Sequence, residues 1–320
     1  MGGRSSARSC RFSQILAPLI FATMPELPDV ETYVACLRRV VEGQVLQKIR
    51  VVSPFVLGTV DPPIESLEGK RLMSSGRLGK RIWLGFESDL YLIVHLMIAG
   101  RLVWKGSGSK PPGRITLVTF EFERGMLVLT EAGKQKRASI YLANGHDELH
   151  RHDAGGVEPV GLSAEALTSL LRRENHTVKR SLCDPHLIAG IGNAYSDEIL
   201  HAARLSPLKL TSRLTDEEIG RLQAAIQRIL IHWRDKLIER FADRFPGPGD
   251  ITAFRPEFAV HGRFGKPCPV CGTKVQRIRY ADNETNYCPR CQTDGKLLAD
   301  RSLSRLLRED WPRSIDELER

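Results

Sequence analysis

The sequence lacks the features of several broad protein classes. No apolar run approaches the roughly 18 residues or more that a membrane-spanning helix needs. There is no low-complexity tract, and no internal repeat with a period of roughly 20 to 50 residues, which argues against repeat architectures. Cysteines are few and odd in number, seven in 320 residues, which argues against an oxidised, secreted scaffold. A soluble protein of two or three domains is therefore expected.

The chain is basic without long basic blocks. Lysine and arginine outnumber aspartate and glutamate by 47 to 38, a formal net charge of +9. Charge distributed in this way is typical of a folded surface that faces a polyanion, and less typical of a disordered basic tail. Many basic proteins bind no polyanion, so the charge only favours nucleic-acid binding.

Four of the seven cysteines form two C-x2-C pairs separated by sixteen residues. Two pairs at this spacing can close a tetrahedral site of four thiolates around one Zn²⁺. A site with four protein ligands has no open position for substrate or water, so the metal would be structural. Disulfide pairing is the alternative. The predicted ligands are Cys268, Cys271, Cys288 and Cys291.

The run MPELPDVET at residues 24–32 places a proline directly after a methionine that could itself start translation. If Met24 is the start and is removed, the nitrogen of Pro25 becomes a free secondary amine, which can attack a sugar C1′ and form an iminium. Such an amine has a pKa near 8, so roughly a tenth of it is neutral at pH 7. Glu26 is the right group type to move a proton to or from the reacting atoms. Alternatively, the prolines of this run only stiffen a turn before a helix.

Residues 1–23 are the difficulty for this interpretation, because Pro25 could not act while Met24 acylates it. The segment is basic and then apolar, which resembles a secretory signal, but its apolar part is only about 8 residues long and Pro18 interrupts it. We expect an upstream start assigned in error. A processed leader and a retained functional arm are the alternatives.

Periodicity predicts a helix followed by a β-rich region. The apolar residues Val30, Val34, Leu37 and Val41 recur at helical spacing. From about 44 to 142 the chain changes to short strand-forming runs separated by turn signals rich in glycine and proline, which suggests a β-sandwich. The runs are VLQKIRVV, KRIWLGF, LYLIVHLMIAGRLVW, ITLVTFEF and MLVLT.

A polar, glycine-rich stretch at 144–161 marks a boundary, and the periodicity beyond it is helical. Thr215 and Glu218 have the spacing of a capping box and precede one long apolar stripe. Residues 246–253 are expected to be a linker into the cysteine module, and the end of the chain is expected to be helical.

Four segments resemble the formamidopyrimidine-DNA glycosylase and endonuclease VIII family. They are MPELPDVET, GRLGKRIW, TVKRSLCDPHLIAGIGNAYSDEILHAARLSP and the cysteine module, in the order found in that family, and the resemblance runs from residue 24 to about 292. It implies an α+β protein. The expected divisions are a non-native or processed leader at 1–23, an N-terminal catalytic β-sandwich at 24–145, a helix-two-turn-helix domain at 160–245, a four-cysteine zinc finger at 254–293 and a helical tail at 294–320.

The resemblance also implies roles for individual residues. Pro25 would be the nucleophile, Glu26 the acid, and Lys80 a phosphate contact that assists elimination. Lys179 and Asn193 would contact phosphate, the latter where a Gly-rich turn opens a helix whose free amides suit an anion. Taken alone, a lysine in a strand-forming run is usually solvated, and a Gly-rich turn is usually a plain loop between helices.

Three positions depart from the family pattern. In His95-Leu96-Met97-Ile98-Ala99-Gly100, Ile98 stands where the family has a methionine wedge, and either Ile98 or Met97 is apolar enough to fill the gap left by a flipped base. Arg137 would read the opposite strand, but no aromatic residue follows it. Asn283 stands where the family has a phosphate-binding arginine.

These features predict a bifunctional DNA glycosylase and abasic-site lyase that excises oxidised bases in base excision repair. The partner would be damaged double-stranded DNA, and the enzyme a monomer of the bacterial cytoplasm, held at the nucleoid through DNA, with no membrane attachment. The main alternative is a DNA-binding protein of the same architecture with little or no glycosylase activity. A zinc-ribbon accessory factor would explain the cysteines but not MPELPDVET or GIGNAYSDEIL.

Overall fold

The computed structural model describes residues 24–133, 135–252, 254–280, 283–299 and 313–318, with the side chains of residues 280 and 283 excepted. The leader at 1–23 and most of the tail beyond residue 299 lie outside these ranges. Within them, no helix is both long enough and apolar enough to cross a membrane.

The first helix, α1, spans Leu27–Val40 and begins directly after Glu26. Pro28 lies in its first turn, where the missing N–H costs no helical hydrogen bond. The apolar stripe predicted from the sequence is buried, including Val30, Val34 and Leu37. The helix therefore anchors the N-terminal segment in the core of the first domain.

Eight antiparallel strands form two four-stranded sheets in the first domain, in the orders β1-β6-β7-β5 and β2-β3-β4-β8. Side chains from both sheets meet in one buried cluster, with Phe120 and Leu127 from one and Ile82 and Leu92 from the other. This arrangement confirms the predicted β-sandwich. The strands are β1 Leu46–Val51, β2 Leu72–Leu78, β3 Arg81–Phe86, β4 Leu90–His95, β5 Gly100–Gly106, β6 Thr116–Phe122, β7 Gly125–Glu131 and β8 Ser139–Asn144.

The structure corrects the local assignment of Lys80. Residues 76–83 form no continuous strand, because Gly79 and Lys80 are the turn between β2 and β3. Gly79 has a φ of 56°, a left-handed conformation that glycine adopts readily. The apolar run at 90–104 likewise divides into β4 and β5 around a short loop.

The second domain is helical. It contains α3 Ala164–Leu171, α4 Val178–Cys183, α5 Asn193–Ala203 and α6 Asp216–Arg240, after a short helix α2 at His146–His150. The predicted capping box opens α6, since Glu218 N donates to Thr215 Oγ1 at 3.2 Å and Thr215 N to Glu218 Oε2 at 3.0 Å.

The cysteine module is small and lies against α5. A hairpin of β9, Gln276–Tyr280, and β10, Asn283–Tyr287, leads into a short helix, α7, at Pro289–Thr293. The described part of the tail includes one further helical turn, α8, at Ile315–Leu318.

Candidate active site

The N-terminal segment docks onto the start of α5 through the carboxylate of Glu26. This carboxylate accepts hydrogen bonds from the backbone amides of Gly192 at 2.6 Å, Ala194 at 2.8 Å and Tyr195 at 3.2 Å. The first amides of a helix have no partner within the helix, and they lie at the positive end of its dipole. A residue from one domain therefore satisfies amides at the start of a helix in the other, next to the buried Pro25.

Glu26 is buried, with 2% of its surface exposed. Burial raises the pKa of this carboxyl above its ordinary value, and nearby Lys80 and the amides of Ala194 and Gly192 oppose that rise. A carboxyl with a raised pKa keeps its proton to a higher pH than an exposed glutamate does. Burial therefore favours the protonated form of Glu26, which is the form that can act as an acid.

The side chains of Lys80 and Glu26 both lie against Gly192. A Cβ atom on Gly192 would lie 2.6 Å from Lys80 Nζ and 2.6 Å from Glu26 Cδ, closer than nonbonded atoms approach. Next to it, Leu27 N donates to Gly190 O at 2.9 Å. The turn after β2 thus brings Lys80 close to Glu26, and the phosphate contact predicted for Lys80 stays a prediction.

A cavity of about 250 Å³ opens beside this centre. Met24, Lys80, Arg81 and His95 contribute to its walls. The pKa of His95 is lowered to about 4, first by burial and then by the charges of Arg81 and Lys80. Its imidazole is therefore neutral at pH 7, and the cations facing the cavity are Lys80 and Arg81.

An ion pair fixes the first turn of α1. Asp29 accepts a hydrogen bond from Glu26 N at 2.9 Å and pairs with the guanidinium of Arg255, and both side chains are almost completely buried. The interaction with Asp29 contributes to raising the pKa of Arg255. The segment after α6 therefore supports the backbone that carries Glu26.

The structure brings Lys179 and Asn193 together, and both are engaged within the protein. Lys179 Nζ donates to Asp197 Oδ1 at 2.5 Å, to Ser196 Oγ at 3.0 Å and to Asn193 O at 3.2 Å. Asn193 Nδ2 donates to Glu284 O of β10 at 2.8 Å. Their predicted phosphate contacts stay a prediction.

The predicted wedge and the predicted strand reader lie on neighbouring loops. Between β4 and β5, Met97 has a φ of 52°, and 39% of Ile98 is exposed. The β7–β8 loop, which carries the exposed Arg137, packs against it: a Cβ on Gly133 would lie 3.4 Å from Ala99 Cβ. Arg137 Nη2 donates to Gln135 Oε1 at 2.8 Å.

The four predicted cysteine ligands converge. Their sulfur atoms all lie within 4.8 Å of one another, and a tetrahedral zinc site with Zn–S bonds of about 2.3 Å has sulfurs roughly 3.8 Å apart. The four cysteines therefore fit a metal ion bound by four thiolates. His201 of α5 contacts the cluster, with Nε2 3.3 Å from Cys268 Sγ.

Two buried acids in the first turns of α5 bind the segment that carries the cysteines. Glu198 accepts hydrogen bonds from the amides of Ala259, Val260 and His261 at 2.7 to 2.9 Å. Asp197 accepts from Asn286 N at 3.1 Å and pairs with His261 Nδ1 at 2.8 Å. The helix that begins at the candidate site thereby also positions the cysteine module.

The hairpin of that module carries the position where the family has an arginine. The backbone of Asn283 pairs with Tyr280, and the side chain of Asn283 lies outside the described part of the structure. The two arginines that could substitute for the missing one both pair with Glu284, Arg277 at 3.2 Å and Arg279 at 3.1 Å.

Sequence reasoning missed several residues of the site. Asp29 carries no special signal, since a carboxylate in a first helical turn is common on any surface. Asp197 carries none either, because it is one acidic residue among others on α5. The sequence shows Gly192 as part of the Gly-rich turn, where a glycine often allows a close approach of other atoms, but it does not show that Glu26 and Lys80 pack there. Their burial and partners come from contacts between distant segments.

Comparisons with known proteins agree with these observations. The sequence profile of the formamidopyrimidine-DNA glycosylase N-terminal domain matches residues 24–137, that of the formamidopyrimidine-DNA glycosylase H2TH domain matches 156–233, and that of a zinc finger found in FPG and IleRS matches 265–293. The formamidopyrimidine-DNA glycosylase of Pelotomaculum thermopropionicum is 34% identical over 277 residues, which are 84% of this chain and 99% of that protein. That of Moorella thermoacetica is 34% identical over 262 residues, 80% of this chain and 95% of the relative.

Solved structures give the same relation. The Lactococcus lactis formamidopyrimidine-DNA glycosylase, non-covalently bound to DNA containing an abasic site, superposes with a TM-score of 0.73 at 27% identity, over 84% of this chain and 99% of that one. The same enzyme in complex with DNA containing an oxidised pyrimidine gives a TM-score of 0.74 at 28% identity, over 84% and 100% of the two chains.

The close approach at Gly192 predicts the effect of a single methyl group. Gly192→Ala should lower the free energy of unfolding by about 1–3 kcal/mol, the usual cost of leaving a buried polar group unsatisfied, because the methyl group displaces the buried Glu26 carboxylate from the amides that hold it. Gly220→Ala, in α6 with nothing within 4 Å, is the matched control and should leave stability unchanged or raise it. Thermal unfolding of both variants measures the difference, and equal midpoints would contradict the packing described for Gly192.

Proposed function

The chain belongs to the formamidopyrimidine-DNA glycosylase family and is a DNA glycosylase of base excision repair with the abasic-site lyase activity of that family; we propose that Pro25 is its nucleophile and Glu26 its acid. The single observation that carries this proposal is the carboxylate of Glu26 held at the start of α5, beside Pro25 and Lys80. Oxidised bases in double-stranded DNA are the proposed substrates.

The proposed reaction begins at the nitrogen of Pro25. Its lone pair forms a bond to C1′ of the flipped nucleotide while the bond from C1′ to the base breaks. The nitrogen then gives up its N–H proton, and the departing base takes up a proton. The sugar ring then opens to an iminium, with Glu26 as the proton donor to the ring oxygen. Loss of a C2′ proton expels the 3′ phosphate, which cuts the strand.

Lys80 and the neighbouring cations have an electrostatic role in this proposal. Lys80 and Arg81 face the cavity beside Glu26, where a phosphate of the flipped nucleotide would gain charge-assisted hydrogen bonds. Lys179 of α4 and Asn193 at the start of α5 are proposed to contact phosphate by exchanging part of their present hydrogen bonds. Each such contact would favour the extrahelical nucleotide, whose unstacking costs a few kcal/mol.

The loops between β4 and β5 and between β7 and β8 are proposed to act on the rest of the duplex. Ile98 is the proposed wedge, because its side chain is exposed whereas Met97 beside it is partly buried. An apolar side chain in the stack replaces the flipped base. Arg137 on the neighbouring loop is proposed to contact the opposite strand.

One chain contains every residue of the proposed site, so a monomer is sufficient for the reaction. The proposed partner is damaged double-stranded DNA, and the proposed location is the bacterial cytoplasm, where binding to DNA would hold the enzyme at the nucleoid. The four-cysteine cluster is proposed to hold one Zn²⁺ that stabilises the hairpin and takes no part in the chemistry.

The proline assignment predicts which form of the chain reacts. Borohydride reduces an iminium to a stable cross-link, so a chain beginning at Pro25 should be trapped on an abasic-site duplex. A chain that keeps residues 1–24 should not be trapped, because the nitrogen of Pro25 is then an amide. The measurement is the yield of cross-linked protein on a denaturing gel.

Two variants control that experiment. Pro25→Gly and Glu26→Gln should both weaken base excision, the first by changing the nucleophile and the second by removing the acidic proton. Equal trapping by an intact chain that begins at Met1 would show that Pro25 is not the nucleophile. Failure of every form to trap or excise would instead favour a DNA-binding protein without glycosylase activity.

The metal proposal predicts one zinc per chain and a local role for it. Cys288→Ser should lose zinc and DNA affinity together, because a closed four-ligand site supports the fold around it. The β-sandwich should keep its unfolding transition. Cys36→Ser is the control, since Cys36 is buried outside the cluster and should leave the zinc content unchanged. Elemental analysis of protein purified without chelator decides it, and absence of metal would contradict the proposal.

The asparagine at position 283 leads to a prediction about the 3′ ends of the cleaved strand. An arginine fork makes bidentate, charge-assisted contacts with phosphate that an amide cannot make, so the second elimination should stall and leave an unsaturated sugar remnant on the 3′ end. Asn283→Arg should raise the share of 3′-phosphate ends, resolved on a sequencing gel. Predominantly 3′-phosphate ends in the unmodified protein, unchanged by Arg277→Ala and Arg279→Ala, would refute this prediction.

A further inference from the structure

A buried arginine lies where the proposed wedge loop meets the segment after α6. Arg101 of β5 is 9% exposed. Its Nη1 donates to Ile98 O at 3.1 Å and to Gly100 O at 2.7 Å, and its Nε donates to Ile251 O at 2.8 Å. One guanidinium therefore holds backbone carbonyls from two segments that are 150 residues apart in the chain.

The loop at residues 96–99 depends on these bonds for its shape. Gly100 N donates to Leu96 O at 2.9 Å, which closes a tight turn and leaves the side chain of Ile98 exposed at the tip. The carbonyl oxygen of Ile98 faces Arg101 and accepts its hydrogen bond. The hydrogen bond from Arg101 thus fixes the peptide from which the Ile98 side chain projects.

The other end of the connection is firmly held. Ile251 is 1% exposed and belongs to the core of the β-sandwich. The preceding residue, Asp250, accepts two hydrogen bonds from the guanidinium of Arg244, at 2.6 and 3.1 Å. Arg101 therefore ties a short, exposed turn to a buried part of the domain.

We propose that Arg101 is a positioning residue for base flipping, which holds the wedge loop against the segment after α6 so that Ile98 can remain in the base stack. The inference rests on the proposed function of Ile98 as the wedge. An apolar wedge must stay in place while the bases tend to stack again. The groups that anchor the backbone of a short loop therefore determine whether its side chain keeps that position. Arg101 supplies that anchor through three carbonyls.

Arginine is the side chain that this geometry requires. Its planar guanidinium carries five donors in a fixed fork, whereas the ammonium of lysine is a single point on a flexible stem. Arg101→Lys keeps the charge and much of the bulk but cannot span carbonyls on both segments. The matched control is Arg50→Lys on β1 of the same sheet, since Arg50 is an exposed residue paired with Glu121.

The test compares a step that needs flipping with one that does not, using the form of the chain that is trapped in the borohydride experiment. On a duplex with one formamidopyrimidine, Arg101→Lys should lower kcat for base release about tenfold with little change in KM. On an abasic-site duplex, which has no base to extrude, trapping should stay within about twofold of the unmodified protein. A 2-aminopurine next to the lesion should show a smaller fluorescence rise on binding.

The double variant separates this inference from the proposal beneath it. Ile98→Ala should impair base release, and adding Arg101→Lys should cause little further loss, because Arg101 acts through the loop that carries Ile98. If Ile98→Ala has no effect, the wedge assignment itself is wrong. If Ile98→Ala impairs release and Arg101→Lys does not, only the positioning role fails. Equal losses of release and trapping in Arg101→Lys would show a general structural role and also overturn it.

Discussion

The arrangement of this protein depends on the hydrogen bonds between the carboxylate of Glu26 and the first amides of α5. These bonds cross from the β-sandwich domain to the helical domain, and they place an acidic group beside Pro25 and Lys80. Burial raises the pKa of Glu26 while the amides and Lys80 oppose that rise. One contact between the domains therefore also affects the pKa of the proposed acid.

Helix α5 extends this coupling to the cysteine module. Its N-terminus binds Glu26, its first turns bind the segment at 259–261 through Asp197 and Glu198, and its last turn contacts the cysteine cluster through His201. Because one helix makes all of these contacts, the three parts of the molecule cannot be placed independently. A phosphate bound near Lys179 and Asn193 would lie where all three meet.

The loops that are proposed to act on the duplex are built differently. They are short and exposed at their tips, and their precision comes from buried groups behind them: Arg101 behind the loop at 96–99, and Glu131, which accepts hydrogen bonds from the amides of Arg137 and Ala138, behind the neighbouring loop. The exposed tips of both loops are thus separate from the buried groups that fix their backbone.

The sequence by itself determined the features that depend on local order. The apolar spacing predicted α1, the capping box predicted the start of α6, the alternating runs predicted a β-sandwich, and the two C-x2-C pairs predicted a converging cluster. It placed Lys80 in a strand, because a two-residue turn inside a strand-forming run has little local signal. Only the tertiary structure decided that Glu26, Lys80 and Gly192 meet, that Asp29 pairs with Arg255, and that Arg101 spans two segments. These contacts join residues tens to hundreds of positions apart, and their energies come from burial and from partners that no local pattern specifies.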